Sequence, residues 1–171
     1  MRKVILIVLV LFAAHSQAQS FGIKAGVNFA DLRGSDARGY GSITSFHVGI
    51  VREISLFNAV SLQPELLFST QGAERGSDEL KLNYFTLPLI LKIYVSELSL
   101  EAGPQMGLLV GKSKDFDGDI NTFDFGWAAG IGYEITGSLF AQARYNWSAV
   151  SVVDDAQIKN SVFQLSLGYM F

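Results

Sequence analysis

The stretch Phe21-Gly22-Ile23-Lys24-Ala25-Gly26-Val27-Asn28-Phe29 decides the fold. Phe21, Ile23, Ala25, Val27 and Phe29 are apolar, and Gly22, Lys24, Gly26 and Asn28 between them are small or polar. Successive side chains of an extended strand point to opposite faces, so a period of two gives one oily face and one small, polar face. A helix would return its apolar residues every three or four positions, and this stretch does not.

The same alternation recurs along the chain. Phe46, Val48 and Ile50 alternate with His47, Gly49 and the less regular Val51. Leu62, Leu66 and Phe68 face away from Gln63, Glu65 and Ser69, and Phe85 to Val95 alternates with Tyr84, Thr86, Pro88, Lys92 and Tyr94. Leu98 to Leu108, Phe123 to Tyr133, Leu139 to Trp147 and Phe163 to Phe171 repeat it. About eight strands result, each near the roughly 9 to 11 residues that a tilted membrane strand needs. No helical segment follows residue 18, and no linker divides the chain. The reading is all-β: an eight-stranded antiparallel up-and-down transmembrane barrel.

The connections alternate between long and short. Asp31–Ser45, Gln71–Glu79, Gly111–Asn121 and Ser148–Ser161 read as long and polar, whereas Ser55–Asn58, Ser96-Glu97 and Thr136-Gly137-Ser138 read as tight turns. Membrane barrels have short turns on the periplasmic side and longer loops outside. Both termini are therefore expected in the periplasm, at an outer membrane.

The N-terminus agrees with export. Arg2 and Lys3 precede the apolar run Val4–Ala14, and His15-Ser16-Gln17-Ala18 follows, with Ser16 and Ala18 as the small residues before a cut at Gln19. That is the layout of a signal peptide over residues 1–18, leaving a barrel domain over 19–171. Without those 18 residues the Lys and Arg count falls from 13 to 11 against 16 Asp and Glu, a net charge of −5. Nucleic-acid binding wants a basic face, so that partner class is set aside. There is no cysteine, hence no disulfide framework, thiolate metal site or cysteine nucleophile.

A soluble barrel also alternates, but it turns its oily face inward. Here the polar set is rich in Gly and Ala beside isolated charges, which suits a narrow interior better than a water-facing exterior. The oily set carries aromatics near strand ends: Phe21, Phe29, Phe46, Phe68, Phe123, Phe125, Tyr133, Tyr145, Trp147, Tyr169 and Phe171. Aromatic girdles form at lipid–water boundaries.

Three segments, Gly22-Ile-Lys-Ala-Gly-Val-Asn28, Leu62-Gln-Pro-Glu-Leu-Leu-Phe-Ser69 and Tyr84-Phe-Thr-Leu-Pro-Leu-Ile-Leu-Lys92, together with the ending Leu167-Gly-Tyr-Met-Phe171, carry a resemblance over residues 19–171. The chain resembles the outer-membrane β-barrel domain family, the porin-like proteins of Bacteroidota-type bacteria. The resemblance implies outer-membrane lipid and lipopolysaccharide as surroundings. It also implies that Tyr169 and Phe171 form a C-terminal signal for the barrel-assembly machinery.

On this register Lys24, Arg52, Glu65, Lys92, Glu101, Glu134 and Arg144 point inward. Opposite charges in a poorly hydrated bore should pair, with Glu65, Lys92, Glu101 and Arg144 as the central cluster. An eight-stranded bore is just wide enough for side chains to fill it, so the lumen is expected narrow or filled. Pro64, Pro88 and Pro104 each remove a ladder donor and suggest a bulge or bend. His47 is the single histidine after residue 18 and sits inward, with no Gly-x-Ser-x-Gly elbow beside it. Asp115, Asp117 and Asp119 resemble a calcium loop, but Gly126 stands where the closing Glu is needed. No catalytic, cofactor or metal site is assigned. The expected function is a porin-like outer-membrane barrel with a structural or small-solute role. The alternative is a surface adhesin or secretion accessory acting through residues 31–45 and 148–161.

Overall fold

A computed structural model describes residues 19–35, 37, 39–75, 78–113, 121–152 and 158–171. The leader at 1–18, the acidic stretch with Asp115, Asp117 and Asp119, and part of the 148–161 connection lie outside the described residues. Eight strands follow one another: β1 (Gln19–Arg33), β2 (Gly41–Phe57), β3 (Val60–Arg75), β4 (Asp78–Val95), β5 (Leu98–Lys112), β6 (Phe123–Glu134), β7 (Leu139–Ser148) and β8 (Lys159–Met170). Each pairs antiparallel with its neighbours in sequence, and β8 pairs with β1 to close the barrel. Closure leaves no edge, so every strand finds partners on both sides.

The alternation read from the sequence fixes which side chain faces where. Ile23, Val27, Val48, Leu100, Ile131 and Leu167 are exposed on the outer face. Lys24, Asn28, His47, Glu65, Glu101 and Arg144 are buried. Two bands of aromatic contacts bound the oily belt. At the tight-turn end Phe21 stacks on Phe171 at 6.3 Å. At the other end Phe29 meets Phe163 at 6.2 Å, Phe46 meets Phe68 at 6.1 Å and Phe68 meets Phe85 at 5.7 Å. From Phe21 to Phe29 the strand rises about 3.3 Å per residue; at a tilt of roughly 40° that is about 20 Å of height, close to the oily band of such barrels.

Beyond the second band the pattern inverts. On β4, Lys92 and Thr86 face inward within the belt, but Leu82 and Leu80 face inward beyond it, with exposed Lys81 on the outside. On β1, Ala30 and Leu32 are buried, and on β2 Ile43 is buried between exposed Ser42 and Thr44. Water has replaced lipid at this height, so the oily side chains turn to the centre as in a soluble barrel. Leu32, Ala73, Leu80, Leu82 and Tyr84 pack there with Val152 and Ile158 from the β7–β8 connection.

This inversion explains a correction. Gln71–Glu79 was expected to be a long loop, but β3 runs to Arg75 and β4 starts at Asp78, so most of it is a paired hairpin beyond the membrane belt. The Asp31–Ser45 connection is likewise shortened, because β1 reaches Arg33 and β2 begins at Gly41. In these strand ends Arg33, Ser42, Thr44 and Glu74 are exposed.

The prolines also behave differently from expectation. Pairing of β2 with β3 skips from Val51↔Glu65 to Ile54↔Leu62, opposite Pro64, without a change of register. The β3–β4 ladder skips in the same way opposite Pro88, and the β4–β5 ladder opposite Pro104. Each proline opens a local gap on its N–H side instead of a bulge. The register shifts lie elsewhere, between Ser42 and His47, between Ser55 and Phe57, and at Asn83/Tyr84.

Gly72 has φ +133°, and a Cβ there would come within 1.9 Å of the Leu80 carbonyl oxygen. Side chains do not occupy that backbone region without strain of about 1–3 kcal/mol. Gly72→Ala should therefore lower the urea midpoint of the refolded barrel, read by heat-modifiable gel mobility. A midpoint equal to wild type would contradict the hairpin geometry described.

Candidate functional site

The lumen gathers most of the candidate residues in one ion cluster. Lys24 stands on β1, Glu65 on β3, Glu101 on β5 and Arg144 on β7, so the four come from alternate strands. Neighbouring strands of a tilted barrel are staggered along its axis, and inward residues of alternate strands therefore share a layer. Arg144 Nη1 and Nη2 donate to Glu65 Oε2 and Oε1, each at 3.0 Å, a two-pronged fork. Arg144 Nη2 also donates to Glu101 Oε2 at 2.8 Å. Lys24 Nζ donates to Glu65 Oε2 at 2.6 Å and to Gln142 Oε1 at 3.3 Å. Gln142 Nε2 in turn donates to Glu101 Oε1 at 2.7 Å. Two cations and two carboxylates are thus neutral as a set, and the charged side chains are at most 1% exposed.

Lys92 is not a member of that set, which corrects the expected central cluster. It sits on β4, one strand out of phase with the alternate-strand layer, and donates to Glu53 Oε2 at 2.9 Å. Lys24 takes the fourth place instead. Gln63 links the two groups: its Oε1 accepts from Lys92 at 3.1 Å and its Nε2 donates to Glu65 at 2.7 Å. Tyr94 donates to Glu53 Oε1 at 2.6 Å, and the Lys92 ammonium lies 4.9 Å from the Tyr94 ring centre. Phe140 covers Gly168 at the tight-turn end, where a Cβ would lie 2.1 Å from its ring.

Arg52 and Glu134 stand apart from the central cluster. Arg52 pairs with outward-facing Phe21, in phase with neither Val51 nor Glu53. Alternation counted from His47 also gives Glu53 an inward place, where it is half-buried; Arg52 is buried, at 7% exposure, with a partner of its own. Glu134 has inward phase but lies exposed at the tight-turn mouth, apart from the ion pairs. Alternation places Gln63 and Gln142 on the inward side but gives them no role in the sequence reading, and Glu53 was missed altogether.

Above the ion cluster a neutral polar layer follows. His47 Nδ1 lies 2.7 Å from Asn28 Oδ1 and His47 Nε2 lies 2.8 Å from Ser166 Oγ. Gln164 Nε2 donates to Asn28 Oδ1 at 2.9 Å, and Asn28 Nδ2 donates to Ser69 Oγ at 3.0 Å. Serine, histidine and amide are connected in the order of a nucleophile, base and orienting group. His47 and Asn28 are at most 1% exposed and Ser166 is 6% exposed, so the geometry is that of a clamp across β1, β2 and β8. At the seam, Phe171 N donates to Phe21 O at 2.8 Å, and the Tyr169 and Phe171 rings meet at 5.5 Å.

Removing one partner of a buried ion pair leaves the other charge uncompensated, at a cost of about 3–5 kcal/mol. Glu101→Lys places a third cation beside Arg144 and should lower the thermal transition of the folded band by well over 10 °C. Glu134→Gln, at the wet mouth, should leave it within about 2 °C. Equal effects of the two would sink the cluster as a structural unit.

The family described as outer membrane protein beta-barrel domain matches residues 4–171. No curated protein matches the chain in sequence. Among solved structures, Neisserial surface protein A is similar in fold, with a TM-score of 0.65 at 17% identity over 91% of this chain and 100% of that one. Ail of Yersinia pestis aligns with a TM-score of 0.56 at 14% identity over 91% and 100% of the two chains. OprG of Pseudomonas aeruginosa aligns at 0.53 and 13% identity over 90% and 96%. With its closed eight-stranded wall and a match that spans nearly its whole length, the chain belongs to the outer membrane protein β-barrel domain family.

Proposed function

We propose that this barrel is sealed and works at the outer surface of the outer membrane rather than as a conduit. The observation that carries the reading is the filling of the lumen. A neutral four-charge cluster, a His47–Asn28–Ser166 layer and an oily cluster around Leu80, Leu82 and Tyr84 follow one another along the axis. A hydrated solute would have to displace ion pairs buried in low dielectric and then cross an apolar stopper. Passage of small solutes, the porin-like alternative, needs all three layers to move.

In this reading the tight turns, the start of β1 and the end of β8 face the periplasm. The far ends of β1 and β2 near Arg33 and Gly41, and of β3 and β4 near Arg75 and Asp78, stand outside, where a surface partner would meet them. Tyr169 and Phe171 serve the assembly machinery during insertion. Two of the similar structures are named for surface location and attachment, which is in keeping with a sealed barrel.

Two measurements test this. Purified barrel in a planar bilayer should give no discrete conductance steps; regular steps above the empty-bilayer baseline would overturn the seal. The chain has no cysteine, so a single Ser42→Cys or Ser138→Cys variant reports topology. A membrane-impermeant maleimide should label Ser42→Cys on intact cells and Ser138→Cys only after lysis, and the reverse would invert the orientation.

A further inference from the structure

The outer wall carries a notch where β7, β8 and β1 pass the rim of the aromatic band. Arg33, Tyr145, Trp147, Lys159 and Ser161 are among the residues lining this cavity of about 480 Å³. Arg33 and Lys159 are direct cross-strand partners, and both are exposed. The Arg33 guanidinium carbon lies 5.5 Å from the centre of the Tyr145 ring, so it is drawn over the notch. Tyr145 stacks on Trp147 at 6.0 Å, and its hydroxyl bonds Ser161 Oγ. Phe163 and Phe29 lie just below, on the belt side.

The arrangement is amphipathic in a specific order: oily rings, then a phenol and an indole, then two cations. Among the described residues no carboxylate forms an ion pair with Arg33 or Lys159. Asp31 shares this face two residues nearer the belt, opposite Ser161, and is paired with neither. Two adjacent, exposed cations at the hydrocarbon rim offer a binding place to an anion from outside the chain. The anion stationed at that height beside a membrane protein is a headgroup phosphate.

We infer that this notch binds the phosphorylated headgroup of an outer-leaflet lipid. Arg33 and Lys159 grip a phosphomonoester on a sugar headgroup, as lipopolysaccharide carries, Trp147 and Tyr145 support the sugar, and the acyl chains follow Phe163 and Phe29 down the wall. A membrane lipid fits better than a free anion because the cations continue the lipid-facing side of the same strands. The opposite notch, lined by Thr44, Ser45, Phe46, Phe68, Thr70, Lys81 and Asn83, offers one cation, and Lys81 already has a partner. The inference rests on the outward placement of the loop end proposed above.

Native mass spectrometry of the folded barrel in neutral detergent, titrated with purified lipid A, tests it. Wild type should retain one lipid A. Arg33→Gln with Lys159→Gln should weaken retention by at least about tenfold, since each lost charged contact is worth about that factor. Lys81→Gln should not weaken it, and dephosphorylated lipid A should bind wild type no better than lipid A binds the double variant. Heat-modifiable mobility of every variant establishes that it is folded. Wild-type retention of no lipid A, retention by the double variant at wild-type strength, or displacement by millimolar inorganic phosphate alone would overturn the lipid site. Labelling of Ser42→Cys separates these failures from a wrong orientation, because lipid retention in detergent does not depend on which way the barrel was inserted.

Discussion

The fork between Arg144 and Glu65 is the interaction on which the interior depends. A bore this narrow cannot hold a charge with its full hydration shell, yet Lys24, Glu65, Glu101 and Arg144 all point into it. The cost of burying them is offset because the four charges cancel and their polar atoms meet other polar atoms. Glu65 alone accepts from Arg144, Lys24 and Gln63. A buried ion set of this kind contributes less to net stability than to uniqueness, since any slip in register would strand a charge. Because its members come from β1, β3, β5 and β7, the set ties the whole circumference together and links strands that are not paired in the sheet.

The wall supplies the other half. Hydrocarbon offers no hydrogen bonds, so the backbone must satisfy itself, and only closure does that for a sheet. The outer oily residues are then at rest in lipid, and the same side chains would be a liability in water. The inversion beyond Phe29, Phe85 and Phe163 follows from this: one strand obeys two solvents in succession, and its polarity pattern reverses where the solvent does. The rim of the aromatic band is consequently where cationic side chains on the outer face first become affordable.

Much of this was legible in the sequence, because a period of two is a direct image of an inside and an outside. The strand count, the inward set and the antiparallel closure follow from alternation alone. What was not legible depends on quantities alternation does not carry. Stagger between strands decides that Lys24 rather than Lys92 completes the cluster. Phase counted strictly from His47 through Val51 gives Glu53 the interior place, and the oily Val51 in an inward position obscured it. The Gln71–Glu79 segment read as a loop because a membrane pattern was assumed beyond the membrane, where Ala73 and Leu80 facing inward is the ordinary pattern of a soluble sheet.

The filling also constrains where selection can act on function. Interior substitutions at Glu65, Arg144 or His47 perturb folding before they perturb anything else, since each of these side chains bridges strands. The belt must stay oily, and the tight turns are short. That leaves the protruding β3–β4 hairpin, the long connections and the polar rim above the aromatic band as the surfaces free to take up new chemistry without loss of the barrel. An interior filled by buried ion pairs and a His47–Asn28–Ser166 layer is committed to holding the shape of the barrel. The proposed lipid contact lies at that rim, where the exposed Arg33 and Lys159 depart from the chain's acidic average.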